Sequence, residues 1–296
     1  MQLATTNVER IRLSHPGRSR RTKRVVSDSG KYILLLVLAM LFVGPFAWLV
    51  SIALTTPTAL GTFPISFWPR HPVWDNFIQA FTSINFLAYA ANSLILSTVY
   101  ATLVTLSSAL VGFGFSRLKA PGKRPLFLIM LSTLMLPNIV TLIPTYMLFA
   151  RLGLVDTYWP WILWGLGAAP FLVFLFRQFF SAIPAEMEEA AILDGCGYGR
   201  IFWGIFLPLA IPAVVTAFLI SFTWVWGDYL TPLLLLSQDN TTLSVAMTAG
   251  YLDPHGFPIV TVQAAGTLLY IVPEILLFFF AQRYFVQGIV TSGLKG

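Results

Sequence analysis

The sequence predicts an all-α membrane protein with six transmembrane helices and a short polar helix on one membrane face between the fourth and fifth. Three observations carry this. Hydrophobic residues make up 57% of the chain against 10% charged, and the mean hydropathy is +0.78, outside the range of an ordinary soluble domain. The charges are gathered into clusters: residues 32–69, 76–116, 125–150, 157–176 and 201–227 contain no Asp, Glu, Lys or Arg. Between two of these runs lies an acid-rich island, Glu186 to Asp194, which hydrocarbon does not tolerate and which therefore belongs on a membrane face.

Residues 1–31 form a basic tail in which Arg10, Arg12, Arg18, Arg20, Arg21, Lys23, Arg24 and Lys31 precede the first apolar run. Such a segment is expected to be poorly ordered and to oppose an anionic cytoplasmic leaflet. Residues 32–296 are expected to form one membrane domain. Its first span, about 32–54, exceeds the core of a signal peptide and no small-residue cleavage site follows, so it is expected to be retained. The second, about 89–115, opens with Asn92 and Ser93 beside Tyr89, polar groups that serve either as interhelical hydrogen-bond partners or as ligands.

The third span, about 126–149, contains Pro137 and Pro144. The fourth, about 158–180, begins with Tyr158, Trp159 and Trp161. The fifth, about 204–226, contains Pro208 and Pro212, and the sixth, about 264–284, carries Pro273 beside Glu274. Each is near the length that crosses a hydrocarbon core of about 30 Å. Prolines here either break helices beside a cavity or kink a buried helix.

Charge placement orients the spans. Sixteen Lys and Arg flank one face, and Arg70 and Arg151 flank the other. The positive-inside rule puts both termini and the acidic island in the cytoplasm. Trp224, Trp226 and Tyr229 then fall near the outer interface, and Tyr198 and Trp203 near the inner one.

The island reads as a docking knob. Pro184 suits a first helical position, and Glu186, Glu188 and Glu189 crowd the first turns, where negative charge meets the positive end of the helix dipole. Gly195 ends the helix and lets another surface approach, Ala190 and Ala191 keep one face shallow, and Asp194 is placed to cap a helix starting near Tyr198. Ten residues beyond Gly195 comes Ile205-Phe206-Leu207-Pro208.

This spacing, Glu189-Ala190-Ala191, Gly195, Ile205, Leu207-Pro208, resembles the coupling motif of permease subunits in binding-protein-dependent ATP-binding-cassette importers. The resemblance runs from about Asn92 to Gly296 and is similar to sugar importers of the maltose and multiple-sugar type. It includes Arg117-Leu118-Lys119-Ala120-Pro121-Gly122-Lys123, Leu136-Pro137 to Pro144-Thr145-Tyr146, Leu152-Gly153-Leu154-Val155-Asp156-Thr157, Arg177-Gln178-Phe179-Phe180 to Ile183-Pro184, and Arg283-Tyr284-Phe285 to Leu294-Lys295-Gly296.

The resemblance implies a permease in the cytoplasmic membrane of a prokaryote. Its partners would be a second, similar permease, two ATPase subunits carrying ATP and Mg, and an extracytoplasmic solute-binding protein delivering a carbohydrate. Glu188, Glu189, Ala190, Ala191, Asp194, Gly195, Ile205, Leu207 and Pro208 would couple to the ATPase, and Gly288 to Gly296 would lie against the ATPase pair. Residues from about 227 to 263 would help engage the binding protein.

Candidates for the translocation path are Asn92, Trp224, Trp226, Asp228, Tyr229 and Glu274. Aromatic planes beside a carboxylate suit carbohydrate, though an interfacial aromatic belt gives the same pattern. The family usually shows Trp-Asn-acid where this chain has Trp226-Gly227-Asp228. Glu274 is the acid within a span, placed either on a cavity or against a polar group of the partner permease.

Other functions find no support in the sequence. No Gly-x-x-x-x-Gly-Lys-Ser/Thr loop occurs, so the chain is expected to bind no nucleotide or other cofactor and not to be an enzyme. No Gly-x-Ser-x-Gly elbow appears. His15, His71, His255 and the lone Cys196 are scattered, so no metal is expected. The net charge of +6 is explained by the tail, and no base-reading module accompanies it. A secondary transporter would show internal repeats and several intramembrane charges, and a membrane enzyme would show clustered acids or histidines at an interface.

Overall fold

The computed structural model describes residues 18–60, 67–69 and 71–293. Among the described residues regular structure is helical, apart from one bridge between Leu252 and Pro258. Helix α1 (Arg18–Ala53) begins well inside the basic segment expected to be poorly ordered. Arginine and lysine are good helix formers, and the apolar run behind them supplies the nucleus, so the helix extends backwards through the charges. Residues 1–17, with Arg10 and Arg12, lie outside the described residues.

Two short helices, α2 (Pro57–Leu60) and α3 (Asp75–Thr82), lead into α4 (Phe86–Arg117). Helix α4 is the central helix and packs against α12 (Ile211–Trp226), α8 (Pro170–Ser181) and α7 (Trp159–Leu166). Its buried face is a row of small and hydroxyl side chains, Ser93, Ser97, Ala101, Thr105 and Ala109, with Ser108 and Gly112 beside it. Small residues let membrane helices approach closely where lipid provides no hydrophobic drive for association. At Gly112 a β-carbon would stand 2.7 Å from Cβ of Phe176, so a side chain there would push α4 and α8 apart.

The third span is broken. Helix α5 (Lys123–Ser132) and a 3-10 turn (Thr133–Met135) meet α6 (Asn138–Arg151) at 99°. Pro137 has no N–H and forces Leu136 into the extended region, which stops the helix there, whereas Pro144 is accommodated inside α6. The fourth span consists of α7 (Trp159–Leu166) and α8 (Pro170–Ser181), with Ala168 at φ 59° in the gap. Helix α4 satisfies the freed backbone: Ser107 Oγ donates to Gly165 O at 2.7 Å, and Ser108 Oγ accepts from Ala169 N at 2.9 Å.

Helix α9 (Ala185–Leu193) follows, then α10 (Tyr198–Ile201), a π-helical turn (Phe202–Phe206), α11 (Leu207–Leu209) and α12 (Ile211–Trp226). The chain bends by 80° at Ala210. The fifth span, expected from 204, therefore straightens only at Ile211, because Pro208 and Pro212 each remove a backbone donor around the bend. Helices α13 (Leu230–Leu235) and α14 (Leu243–Gly250) lie in the 227–263 segment, and α15 (Val260–Tyr270) and α16 (Val272–Gly293) follow.

Gly30–Ala53, Phe86–Arg117, Trp159–Ser181 and Val260–Tyr284 are each long and apolar enough to cross a bilayer, and the two bent pairs raise the number to six if each crosses once. Large apolar side chains cover the outside: Leu41, Phe42, Met135, Ile143 and Phe280 are all exposed. Large apolar side chains exposed in this number suit contact with lipid or another membrane-embedded surface.

Candidate functional site

Helix α9 is built as the sequence predicts at its C-terminal end and differently at its start. Pro184 is the residue before the helix, with extended ψ of 140°, and Glu186 and Glu188 occupy the first turn. At the end Gly195 adopts φ 79°, its amide bonds Ile192 O at 3.0 Å, and the Cys196 amide bonds Ala191 O at 2.9 Å. This pair of reversed bonds is a Schellman closure, which needs a residue at ease in the left-handed region. Asp194 closes α9 and does not cap the next helix. That position falls to Gly197, because the Schellman turn carries the chain one further residue along before α10 begins.

The two alanines and three glutamates divide by face. Ala191 is buried in a core with Phe113, Phe176, Phe180, Ile201, Phe202 and Phe206. Glu188 turns inward, and one carboxylate oxygen lies 3.6 Å from Nη1 of Arg117 at the end of α4. Glu186, Glu189, Ala190, Ile192, Leu193, Asp194 and Gly195 stay exposed, Leu193 by 88%. The outward face is therefore a mixture of acid and apolar groups around a glycine turn, with open space about Gly195.

Arg117 is the residue that spacing did not assign a role. Its Nη2 donates to Phe180 O and Ile183 O at the end of α8, its guanidinium lies 4.7 Å above the Phe206 ring, and its Nη1 faces Glu188. One side chain thus joins α4, α8, α9 and the π-helical turn. A largely buried ion pair has worth only when geometry and additional hydrogen bonds offset desolvation, and the two carbonyls supply those bonds. A pairing so distant in the chain leaves no local pattern to read.

Ile205 and Leu207 are half-buried against the same core, and Pro208 is exposed. The amide of Leu207 reaches Phe202 O, five residues back, and Phe202 and Phe206 both pack on Phe113 and Phe180. Phe202 and Phe206 reach these partners across a widened π turn, a feature that recurs at functional positions.

A second candidate site is a cavity of about 870 Å³ beside the break in the third span. Pro137, Asn138, Thr141 and Thr145 line it from α6 and the break, Trp161 and Trp164 from α7, and Trp224, Asp228 and Thr231 from the end of α12 onward, with Tyr100 and Tyr146 between. Among its lining residues Asp228 is the charged one. Trp224 is 43% exposed and offers its ring.

The other sequence candidates for a path lie elsewhere. Trp226, read as an interfacial ring, is 1% exposed, stacked between Phe222 and Tyr270, with Nε1 donating to Tyr270 O. Helical spacing explains this: Trp224 and Trp226 sit two residues apart and so face different sides of α12. Asn92 donates to Thr241 O at 3.2 Å, and Ser93 Oγ accepts from Leu243 N at 2.8 Å, so both anchor the segment before α14. Tyr229 is exposed and does not line the cavity. Glu274 is half-buried beside Thr223, close to Tyr270.

The 227–263 segment is tied down rather than free. Asp156, itself at φ 61°, accepts from Ser237 N at 2.9 Å and Asn240 Nδ2 at 3.1 Å, and its own amide bonds Leu235 O. These donors hold its carboxyl below the usual carboxylate range, the Ser237 amide most of all. Further along, the Asp253 carboxylate accepts from His255 N and Phe257 N. Among the described residues no three of His, Cys, Asp and Glu converge as metal ligands.

Known proteins share this architecture. The chain is 31% identical over 270 residues, covering 91% of it and 97% of the relative, to the lactose transport system permease protein LacG of Rhizobium radiobacter. It is 36% identical over 224 residues, covering 75% of it and 79% of the relative, to the arabinooligosaccharides transport system permease protein AraQ of Halalkalibacterium halodurans. A chain from the crystal structure of a bacterial ABC transporter involved in the import of the acidic polysaccharide alginate matches its fold with a TM-score of 0.75 at 22% identity, covering 92% of this chain and 99% of that one. Residues 104–291, which hold α9, Arg117 and the cavity lining apart from Tyr100, match the family model of binding-protein-dependent transport system inner membrane components, and the chain belongs to that family.

Proposed function

We propose that this chain is one of two similar permease subunits of an ATP-driven importer, that it carries a sugar or oligosaccharide handed over by an extracytoplasmic binding protein, and that α9 is its contact with a separate ATPase. In this reading six crossings, with each bent pair counted once, place both termini and α9 in the cytoplasm. The ATPase subunits hold ATP and Mg.

The observation that carries the substrate class is the lining of the 870 Å³ cavity. The exposed Trp224 ring and the half-buried Trp164, Tyr100 and Tyr146 rings would present apolar planes to sugar C–H faces, while Thr141, Thr145, Thr231, Asn138 and Asp228 supply donors and acceptors for hydroxyl groups. With no Lys, Arg or His among the lining residues, the cavity suits a neutral sugar better than a phosphorylated or acidic one. The names of the lactose and arabinooligosaccharide relatives point to the same class.

Coupling follows from linkage: closing the ATPase around ATP shifts the permease only as far as the closed form docks better with one permease conformation. The exposed face of α9 is the surface that would express this preference, and Arg117 would pass it to α4 and α8. The test is ATP hydrolysis by the reconstituted complex with its partner permease, ATPase and binding protein against a panel of sugars. One loaded binding protein should raise hydrolysis, neutral sugars should transport, and Trp224→Ala should slow uptake while leaving basal hydrolysis intact. Failure to assemble with any ATPase, or transport only of anionic sugars, would overturn the reading.

A further inference from the structure

A second cavity, of about 550 Å³, lies where the end of α4, the start of α5 and the end of α8 meet. Lys123, Arg124 and Arg177 line it with Phe115, Phe127 and Leu128, and no acid does. Lys123 spends its ammonium on Leu118 O at 2.7 Å and Ser116 O at 3.4 Å. Arg177 is half-buried, lies 4.3 Å above the Phe127 ring and is near enough to Lys123 to repel it. Among the described residues no carboxylate and no hydrogen-bond acceptor pairs with the guanidinium of Arg177.

Three cations are gathered here without a counter-charge. Two of them, Lys123 and Arg124, open α5, whose N-terminus is itself the positive end of a helix dipole and carries no side-chain cap. Such an arrangement is unfavourable until an anion enters it, and guanidinium groups favour the oxygens of phosphate. The rest of the surroundings are apolar. Leu126, Leu128 and Ile129 continue along α5 from the cavity as exposed side chains, so an anion seated among the cations would have hydrocarbon directly beside it.

We infer that this cavity binds the phosphate of an anionic phospholipid of the cytoplasmic leaflet, with its acyl chains lying along the exposed side chains of α5. A phosphate with attached hydrocarbon fits both halves of the site, whereas free phosphate would use only the cations. Basic pockets between membrane helices on the cytoplasmic side suit such headgroups. The inference rests on the orientation proposed above and not on the transported substrate.

The test uses the assembled importer in mild detergent, titrated with phosphatidylglycerol, with phosphatidylcholine and with inorganic phosphate, and read by native mass spectrometry. Wild type should retain phosphatidylglycerol at one site that phosphatidylcholine does not fill and inorganic phosphate does not clear. Each cation removed should weaken that site about fivefold, seen with Arg124→Gln alone, an exposed position, and again with Arg124→Gln and Arg177→Gln together. Unchanged phosphatidylglycerol retention in both variants would overturn the inference. Clearance by inorganic phosphate would reassign the cavity to free anions, and loss of the ATPase subunits with lipid retention unchanged would reassign it to a protein contact. Detergent titration reads the cavity itself, so a wrong orientation fails separately, in the labelling experiment below.

Discussion

At the scale of single residues, Gly195 and Arg117 do opposite work. Gly195 serves both the turn and the surface: its φ of 79° is one that most side chains resist, and the space around it is open. The two roles can be separated, because asparagine tolerates the left-handed region while adding bulk. Gly195→Asn and Gly195→Asp should both abolish uptake and leave ATP hydrolysis unresponsive to binding protein, with normal amounts of protein in the membrane. Normal uptake by Gly195→Asn would show that backbone conformation alone matters there. Arg117 works inward, where its guanidinium meets Glu188, two carbonyls and the Phe206 ring. The acidic start of the knob and its glycine end were legible in the sequence because both obey local rules of helix termini. Glu188 and Glu189, adjacent in the chain, are told apart only by which one finds a cation from a different helix.

At the scale of elements, the apolar runs marked the spans, while the prolines left open whether a span breaks or only bends. Which prolines break a helix was not legible: Pro137 ends one and Pro144 sits inside one. The difference lies in whether the preceding residues can leave the helical region without losing packing. The 227–263 segment, which the sequence leaves outside the spans, forms α13 and α14 against side chains of other elements. Asp156 is one such anchor, and its carboxyl, held below the usual range, sets the pH behaviour of the tie. A depressed carboxylate contributes fully above its ordinary, unfolded-state pKa, so the tie should be at full strength at neutral pH, weaken as pH falls through the ordinary carboxylate range and be lost below the depressed value. Measured against the intrinsic rate at each pH, exchange at the Ser237 amide should be protected at neutral pH in wild type, lose protection as pH falls through the carboxylate range, and be unprotected already at neutral pH in Asp156→Ala. Equal exchange in both would remove Asp156 as the anchor.

At the scale of the whole molecule, the fold is a stack of membrane helices gathered about α4, with the knob and the 870 Å³ cavity attached to the same helices. The all-helical membrane class was legible, since it follows from hydropathy and charge, and among the described residues four apolar spans stand clear, with two bent pairs beside them. Of the path candidates, Trp224 and Asp228 line the cavity, while Trp226 belongs to the core, a distinction set by the rotation of α12. Orientation has a direct test in the chain's lone cysteine. Cys196 follows Gly195 at the knob and is half-buried. A membrane-impermeant maleimide should label it in inside-out vesicles and not in right-side-out ones. The reverse pattern would invert the topology.

The π-helical turn between the knob and α12 has a mechanical consequence. A turn closed five residues back holds one residue more than an α-turn, and relaxing it to α register would rotate whatever follows by about 100°. Such a turn would act as a slack joint and absorb a push from α9. Pro208 removes that freedom, because in α register its ring would collide with the carbonyl of Gly204. Phe202 and Phe206 clamp the same turn onto Phe113 and Phe180. The joint is therefore held in its wide register, which would let a displacement of α9 reach α12 as rotation instead of being taken up in a change of winding.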